Sequence, residues 1–186
     1  MTDENQSAPA TGNALPVLDM PEIVFECGHF QAHRCRSCQM LDRRYQATLQ
    51  HKHDALEKLF PKTLVSPFVP CQSISGSRIR AKLAVTGTIN QPQIGFFDDH
   101  QSLVAVNDCP LHHALINDWT QRLPSMIREA RLMPYDLHTD RGELKFVILT
   151  CSPSHEQLMM QFVLRSQEAV DRIRSLWRRM TAAEKQ

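Results

Sequence analysis

The sequence predicts an α+β fold, in which helices flank a small mixed or antiparallel sheet. Short apolar runs separated by turn residues, a pattern typical of strands, occupy the middle of the chain, and a run with helical spacing follows them. The same order, strands and then a helix, recurs toward the C-terminus. Because each group has one apolar face to bury, helices packed against one layer of sheet satisfy both groups.

The first group combines three short strands with a helix that Pro110 begins. The turn residues between the strands include Gly87 and Asn90. Pro124 interrupts the helical pattern, and we expect it to kink the helix or divide it in two. The predicted strands are 81–86, 94–97 and 103–106, and the predicted helix is 110–131.

The second group contains two strands and a C-terminal helix, and one further helix precedes both groups. Ser166 has the side chain and the position to cap the C-terminal helix. Pro61 ends the early helix, whose leucines recur at helical spacing. The predicted strands are 144–151 and 158–164, and the predicted helices are 168–180 and 39–60.

The composition divides the chain into three segments and indicates the cellular compartment in which we expect it. Residues 1–20 are polar and small and predict a disordered tail, 21–60 hold a Cys-rich loop with the early helix, and 61–186 form the α+β domain. The formal net charge is +1, and no apolar run approaches the roughly 20 residues of a membrane span. The N-terminus has no export pattern, so we expect a cytoplasmic protein without membrane contact.

The cysteines give the clearest chemical signal. A reducing compartment disfavours a disulfide framework for the six of them, which leaves metal binding as the better explanation. Cys35 and Cys38 are separated by two residues, a spacing that lets both thiolates bind one metal, and Cys27 lies eight positions before Cys35. Cys109, stiffened by the proline that follows it, is the best fourth ligand. We therefore predict a metal centre held by these four residues.

The spacing alone leaves several alternatives open. Zinc and an iron–sulfur cluster fit the four cysteines equally well, and His29 or His33 can replace one thiolate in a zinc site. The pair Cys35 and Cys38 also fits a redox dithiol, and unrelated free thiols remain an option. Two further cysteines, Cys71 and Cys151, have no partner in sequence and are interpreted as core or spare thiols.

These residues resemble a known enzyme family, the bacterial 23S rRNA 5-methyluridine methyltransferases of the RlmC (RumB) type. The similarity extends from about residue 25 to about residue 180, in the family's order and with near-family spacing. It rests on six blocks: Cys35-Arg36-Ser37-Cys38-Gln39, with Cys27 before it; Arg80-Ala81-Lys82; Asp108-Cys109-Pro110-Leu111; Pro134-Tyr135; Arg141-Gly142-Glu143-Leu144-Lys145; and Phe162-Val163-Leu164-Arg165-Ser166.

The resemblance implies a cofactor and a division of labour. In that family the four matching cysteines hold a [4Fe–4S] cluster in a Cys-rich loop, which favours iron–sulfur over zinc. A C-terminal Rossmann-like domain binds S-adenosylmethionine and methylates uracil C5. No part of this sequence corresponds to that domain, so we expect the chain alone to be inactive. It is then a portion of the enzyme, or its catalytic half is a separately encoded partner.

The expected partner is large-subunit ribosomal RNA. By position, six cations are candidates for phosphate contacts, and Phe30 and Tyr135 are candidates for stacking on bases. Two other functions stay open: a stand-alone, metal-stabilised RNA-binding module without catalysis, and a redox electron carrier. The six cations are Arg34, Arg36, Arg78, Arg80, Lys82 and Arg141.

Overall fold

The computed structural model describes residues 25–71 and 73–183. These residues form two compact units, one of residues 42–71 and one that combines 25–41 with 73–183. The tail predicted at residues 1–20 lies outside the described residues, and the predicted domain boundaries remain predictions.

A five-stranded sheet forms the centre of the larger unit. Its strand order is β3-β2-β1-β4-β5, and every neighbouring pair is antiparallel. The sequence pattern is compatible with a mixed or an antiparallel sheet, and the sheet is antiparallel. The predicted α+β class is thereby confirmed. The strands are β1 (Arg80–Gly87), β2 (Pro92–Phe97), β3 (Leu103–Ala105), β4 (Leu144–Ser152) and β5 (Gln157–Leu164).

The two faces of the sheet differ, as the alternation in β1 shows. Ala81, Leu83 and Val85 are buried in the core, whereas Arg80 and Lys82 between them are exposed. Because successive side chains in a strand point to opposite faces, one face is the core face and the other meets solvent. We call the second one the outer face.

The described residues contain four α-helices, and the starting points predicted for three of them were wrong. They are α1 (Gly28–Gln31), α2 (Tyr45–Leu59), α3 (Ala114–Glu129) and α4 (Val170–Ala183). Arg44 has an extended backbone with ψ of 143°, so α2 begins at the next residue and not at 39. Pro124 lies inside α3, which continues through it.

Tertiary pairing explains the other two late starts. Arg78 forms a parallel β-bridge with His112 and donates its N–H to the Leu111 carbonyl at 2.8 Å, so the residues after Pro110 are held outside the helix. Arg165 still donates to the Glu143 carbonyl at 2.8 Å, which keeps the chain in sheet-like pairing just before Ser166. Helix α4 therefore begins at Val170, two residues after its predicted start. Ser166 lies four residues before this start and does not cap the helix.

Both long helices of this unit pack on the core face. Leu123 and Ile127 of α3 and Leu176 of α4 are at most 1% exposed, and they share one apolar cluster with Leu83 and Leu149 of the sheet. This burial is the main stabilising contribution to the unit. Among the described residues, no helix combines the length and the apolar character needed to cross a membrane.

Candidate metal centre

The segment that carries three of the cysteines reverses direction within a few residues. Cys27 directly precedes α1, and His33 ends the reversal in the left-handed conformation, with φ of +55°. The N–H groups of Arg34 and Cys35 then both donate to the carbonyl of His29, at 2.9 and 3.1 Å. This arrangement is a common way to satisfy the carbonyls at the end of a helix. It brings Cys35 back to the turn that Cys27 begins.

Cys109 is fixed by two separate elements. Its carbonyl accepts hydrogen bonds from the N–H of His112 and from the side-chain amide of Asn117 in α3, both at 3.0 Å. The following residues pair with the segment before β1, through the hydrogen bond between Arg78 and Leu111. The fourth cysteine therefore lies at a rigid junction between the sheet and α3.

A histidine–carboxylate contact joins the two cysteine segments. Nε2 of His29 lies 2.5 Å from Oδ1 of Asp108, although 79 positions separate the residues along the chain. His29 is buried at 8% exposure, whereas the Asp108 side chain is 66% exposed. The contact therefore links the turn after Cys27 directly to the residue before Cys109. Sequence reasoning named His29 only as an alternative ligand and did not identify this contact.

The four predicted cysteines line a single cavity of about 80 Å³. All four are half-buried, and none forms a disulfide. Aromatic and aliphatic side chains complete the wall, and Arg78 and His112 contribute polar groups. The cysteines are Cys27, Cys35, Cys38 and Cys109, and the apolar part of the wall includes Phe25, Phe30, Phe96 and Val106.

The sulfur atoms are spread more widely than the ligands of one metal ion. Among the described residues, only His53, Asp54 and Glu57 form a group of three or more ligand-type side chains with all donor atoms within 4.8 Å of one another. No three of the four cysteine sulfurs are therefore that close. The sulfurs of a tetrahedral zinc site, with Zn–S near 2.3 Å, lie about 3.8 Å apart.

Two of the thiols resist ionisation. Burial raises the pKa of the Cys38 thiol, and Cys109 raises it further, while the Arg78 guanidinium acts in the opposite direction. Burial also raises the pKa of the Cys109 thiol, against hydrogen bonds from the backbone N–H groups of Leu111 and His112. A bound metal reverses this balance, because its positive charge stabilises the thiolate form.

The histidines near the cysteines have other contacts. His29 is engaged by Asp108, and Nδ1 of His33 contacts the Arg36 guanidinium, which reduces the case for either as a ligand. His112 is buried, with its ring 5.8 Å from that of Phe96 in an edge-on arrangement. Burial, followed by the charge of Arg78, lowers the pKa of His112. His112 thus forms part of the cavity wall as a neutral ring.

The remaining candidate residues lie elsewhere. Cys151 is buried in the core at 4% exposure, and Cys71 is exposed, with its N–H donating to the Tyr45 hydroxyl at 2.9 Å. The group formed by His53, Asp54 and Glu57 lies on α2 in the smaller unit, and the sequence analysis did not identify it. Its signal is a helical spacing of one and four residues. His53 Nε2 also lies 3.2 Å from the Val65 carbonyl, which gives this side chain a structural contact.

All six predicted RNA-binding cations are exposed, but they fall in different places. Arg34 and Arg36 line a cavity of about 320 Å³ beside the cysteine loop, and Arg78 faces the cysteine cavity. Arg80 and Lys82 project from the outer face of β1, and Arg141 lies in the turn before β4.

Each of the two predicted stacking residues forms a cation–π contact with a side chain of the same chain. The Arg36 guanidinium lies 5.2 Å from the centre of the Phe30 ring, and the Lys145 ammonium lies 4.3 Å from the centre of the Tyr135 ring. The Tyr135 hydroxyl also donates to Asp140 at 2.7 Å.

No family model matches the chain. Curated relatives, however, cover most of it. It is 34% identical over 152 residues to the 23S rRNA (uracil(747)-C(5))-methyltransferase RlmC of Glaesserella parasuis, which is 80% of this chain and 39% of that protein. It is 35% identical over 159 residues to the RlmC of Mannheimia succiniciproducens, or 82% of this chain and 41% of that protein. The chain thus spans about two fifths of the length of these relatives.

A solved structure shares the fold. The tRNA (uracil-54, C5)-methyltransferase of Pyrococcus abyssi, in complex with S-adenosyl-L-homocysteine, matches with a TM-score of 0.61 and 23% sequence identity, over 74% of this chain and 34% of that one. The prediction that the chain is related to the RlmC-type 23S rRNA uracil-C5 methyltransferases is therefore confirmed over the matched residues.

Proposed function

We propose that this chain is the [4Fe–4S]-binding, RNA-recognising portion of an S-adenosylmethionine-dependent methyltransferase that acts on uracil C5 of 23S rRNA. The observation that carries the proposal is the convergence of four free cysteines, from two distant segments, on one cavity. The similarity to RlmC proteins supports the reaction and the RNA substrate.

The donor set fits an iron–sulfur cluster better than a single zinc ion. All four proposed ligands are thiolates, which suit iron–sulfur clusters and zinc alike, so the residue types do not decide between them. The spacing does favour one of them, because sulfurs too far apart for one tetrahedral ion suit a core in which each cysteine binds a different iron atom. The contacts that engage His29 and His33 argue against a site of three cysteines and one histidine.

The cluster's contribution, when bound, is positive charge that keeps the four thiolates ionised and ties their loop to the sheet. The residues of the chain do the rest. His29 and Asp108 hold the two ligand segments together before any metal arrives. The carbonyl of Cys109 is fixed by α3, and the apolar wall limits the contact of the half-buried cysteines with water.

The reaction explains why such a portion is needed. Uracil C5 is a weak nucleophile, so its methylation requires that a nucleophile of the enzyme first adds covalently to C6. The base must leave its stack for this addition. Contacts between a separate protein surface and the RNA backbone offset the free energy that it costs to unstack the base. We propose that the six exposed cations provide phosphate contacts for it, from Arg34 on the cysteine loop to Arg141 in the turn before β4.

Metal analysis of protein purified without oxygen tests the cofactor. We expect brown protein with about four iron atoms and about four sulfides per chain, and Mössbauer spectra of a [4Fe–4S] cluster. Colourless protein that holds one zinc ion would overturn the cluster assignment.

A second measurement tests the role in methylation. We expect the 186 residues to bind 23S rRNA fragments but neither to bind S-adenosylmethionine nor to transfer a methyl group. Methyl transfer by this chain alone would refute its assignment to RNA recognition without catalysis. RNA binding that is unchanged when a catalytic partner is added would instead favour a stand-alone RNA-binding module.

A further inference from the structure

The outer face of the sheet carries a compact set of aromatic and cationic side chains. The ammonium of Lys82 lies 4.1 Å from the centre of the Phe146 ring. Phe146 pairs with Ala84 across β1 and β4, and Ala84 pairs with Gly95 across β1 and β2. Phe97 lies two positions beyond Gly95 on β2, so it is on the same face of the sheet as Lys82. We call Arg80, Lys82, Phe97 and Phe146 the outer platform.

The floor of this platform is shallow. Ala84 and Gly95 follow Phe146 across the sheet, and Ala105 of β3 continues the row. A Cβ atom at Gly95 would lie 1.9 Å from the Val104 carbonyl oxygen, so this position excludes any larger side chain. Because Ala84 and Gly95 are themselves buried, a flat group would contact the platform through the more exposed rings of Phe146 and Phe97.

The platform is accessible in the described part of the chain. Helices α3 and α4 contribute to the core on the opposite face. Phe97 is 48% exposed, and Met159 of β5 on the same face is 53% exposed. Exposed apolar side chains of this size on one sheet face commonly mark an interaction surface.

All charged residues within the strands of the sheet are cations. None of the five strands contains an aspartate or a glutamate, and the charged residues within them are Arg80, Lys82 and Lys145. Strands that present cations and exposed aromatic rings, and that contain no acidic residue of their own, are complementary to a polyanion with flat bases.

We propose that the outer platform binds single-stranded RNA, with a base stacked on Phe146 or Phe97 and phosphates on Arg80 and Lys82. This proposal rests on the proposed function and deepens it, because it names the surface and the strandedness of the RNA. Base pairs hide the faces that stacking requires, so a duplex can contact the two cations but not the rings.

Fluorescence anisotropy with a labelled single-stranded RNA of about 12 nucleotides tests the platform, on the complete chain prepared without oxygen. We expect the double variant Arg80→Gln, Lys82→Gln to bind about tenfold more weakly and to lower the salt slope by about 1.4, since each lost phosphate contact in a single strand contributes about 0.7. Phe146→Leu should weaken binding at least about fivefold and leave the salt slope unchanged. Phe97→Ala, at a half-exposed site, gives the same readout with little risk to folding.

Arg122→Gln is the matched control, because the Arg122 guanidinium also lies over an aromatic ring, 5.1 Å from the centre of Trp119, but on α3. It should bind RNA within about twofold of the unchanged chain. Iron content and circular dichroism equal to those of the unchanged chain show that each variant is folded.

Three results would overturn the proposal. Platform variants that bind RNA as tightly as the unchanged chain would show that the outer platform is not the RNA-binding surface, while the proposed function would stay intact. Equal affinity for single strand and duplex would remove the stacking. Variants that change self-association in sedimentation, with RNA binding unaffected, would assign the face to a second copy of the chain. An unchanged chain that binds no RNA at low salt would instead contradict the proposed function itself.

Discussion

The sheet core and the cysteine cavity belong to the same unit but are stabilised in different ways. The core residues Leu83, Leu149 and Leu176 are at most 1% exposed and need no partner beyond apolar contact. The cavity instead gathers four free thiols, and burial raises the pKa of two of them, Cys38 and Cys109. The first region is stabilised by packing, whereas burial in the second favours the neutral thiols, and the proposed metal would instead favour the thiolates.

Because of this difference, substitutions in the core and substitutions of the cysteines should affect different parts of the unit. Loss of a core side chain affects the whole unit, because the sheet and both long helices share one cluster. Loss of a cysteine should affect the metal and the segment 25–41, since that segment is tied to the sheet chiefly through the cavity and the contact between His29 and Asp108. The following predictions test the separation.

The largest effect is expected from Cys109→Ser, which removes the proposed ligand that a hydrogen bond joins to α3. Iron should fall from about four atoms per chain to less than about one, because the three remaining thiolates cannot hold the cluster firmly. Solubility should fall as well. Hydrogen exchange should accelerate in residues 28–38 while β1 and β4 keep their protection. Iron assays and exchange mass spectrometry measure both effects.

Cys71→Ser is the control for that experiment, because Cys71 is exposed and belongs to the other unit. It should keep its full iron content. Cys35→Ser and Cys38→Ser should behave like Cys109→Ser, and iron retained in all three variants would show that these cysteines are not the ligands.

In the core, Leu149→Ala should lower the free energy of unfolding by about 3 kcal/mol, because it leaves a cavity in a fully buried site. Urea denaturation measures this change. Met159→Ala, on the outer face and 53% exposed, should change it by less than about 0.5 kcal/mol. Equal effects at the two positions would contradict the assignment of faces.

The metal-free chain should lose stability as the pH rises through the region near 9. The folded pKa of Cys38 and Cys109 lies above the ordinary thiol value of 9.0, so the folded state keeps protons that the unfolded state releases. The stabilising contribution is therefore present below that value and is lost above it. Urea midpoints at about pH 8 and about pH 10 measure the change, which should be smaller than the Leu149 effect.

The double variant Cys38→Ser, Cys109→Ser serves as the control, since it removes both thiols and keeps the tyrosines, which also titrate at high pH. Its midpoint should depend less on pH than that of the unchanged metal-free chain. A dependence of the same size in both proteins would assign the effect to other groups.

The smallest effect is expected from Asp108→Ala, which leaves His29 Nε2 without its partner. The cost should be about 1 kcal/mol or less, because the Asp108 side chain is mostly exposed to solvent. Hydrogen exchange at the amides of Arg34 and Cys35, which bond to the His29 carbonyl, should accelerate. Asp99→Ala, in an exposed turn, should leave both amides unchanged, and protection unaltered by the loss of Asp108 would remove its positioning role.

The sequence predicted the strands within one or two residues, because alternation and turn residues are local signals. The start of α3 was misplaced for a physical reason. Residues 110–112 have a helix-compatible pattern, but they pair with Arg78, a residue more than 30 positions away, and this pairing competes with the helix. A pattern read along one segment does not contain such a competitor.

The site shows the same division. Ligand chemistry and spacing pointed to Cys27, Cys35, Cys38 and Cys109, and one cavity indeed brings them together. The contact between His29 and Asp108 was missed, because the two residues are 79 positions apart and no local pattern pairs them. A signal was present, since His29 lies two residues after one proposed ligand and Asp108 directly precedes another.

The sequence by itself determined which residues alternate, which thiols are present and to which family the chain is related, because these properties depend on residue identity and short spacing. Only the tertiary structure decided that the sheet is antiparallel, that distant cysteines share a cavity, and that Lys82, Phe97 and Phe146 lie on the same face of the sheet. Those outcomes depend on register and on long-range packing. Such interactions are selected by the free energy of the whole fold and are not encoded in any single segment.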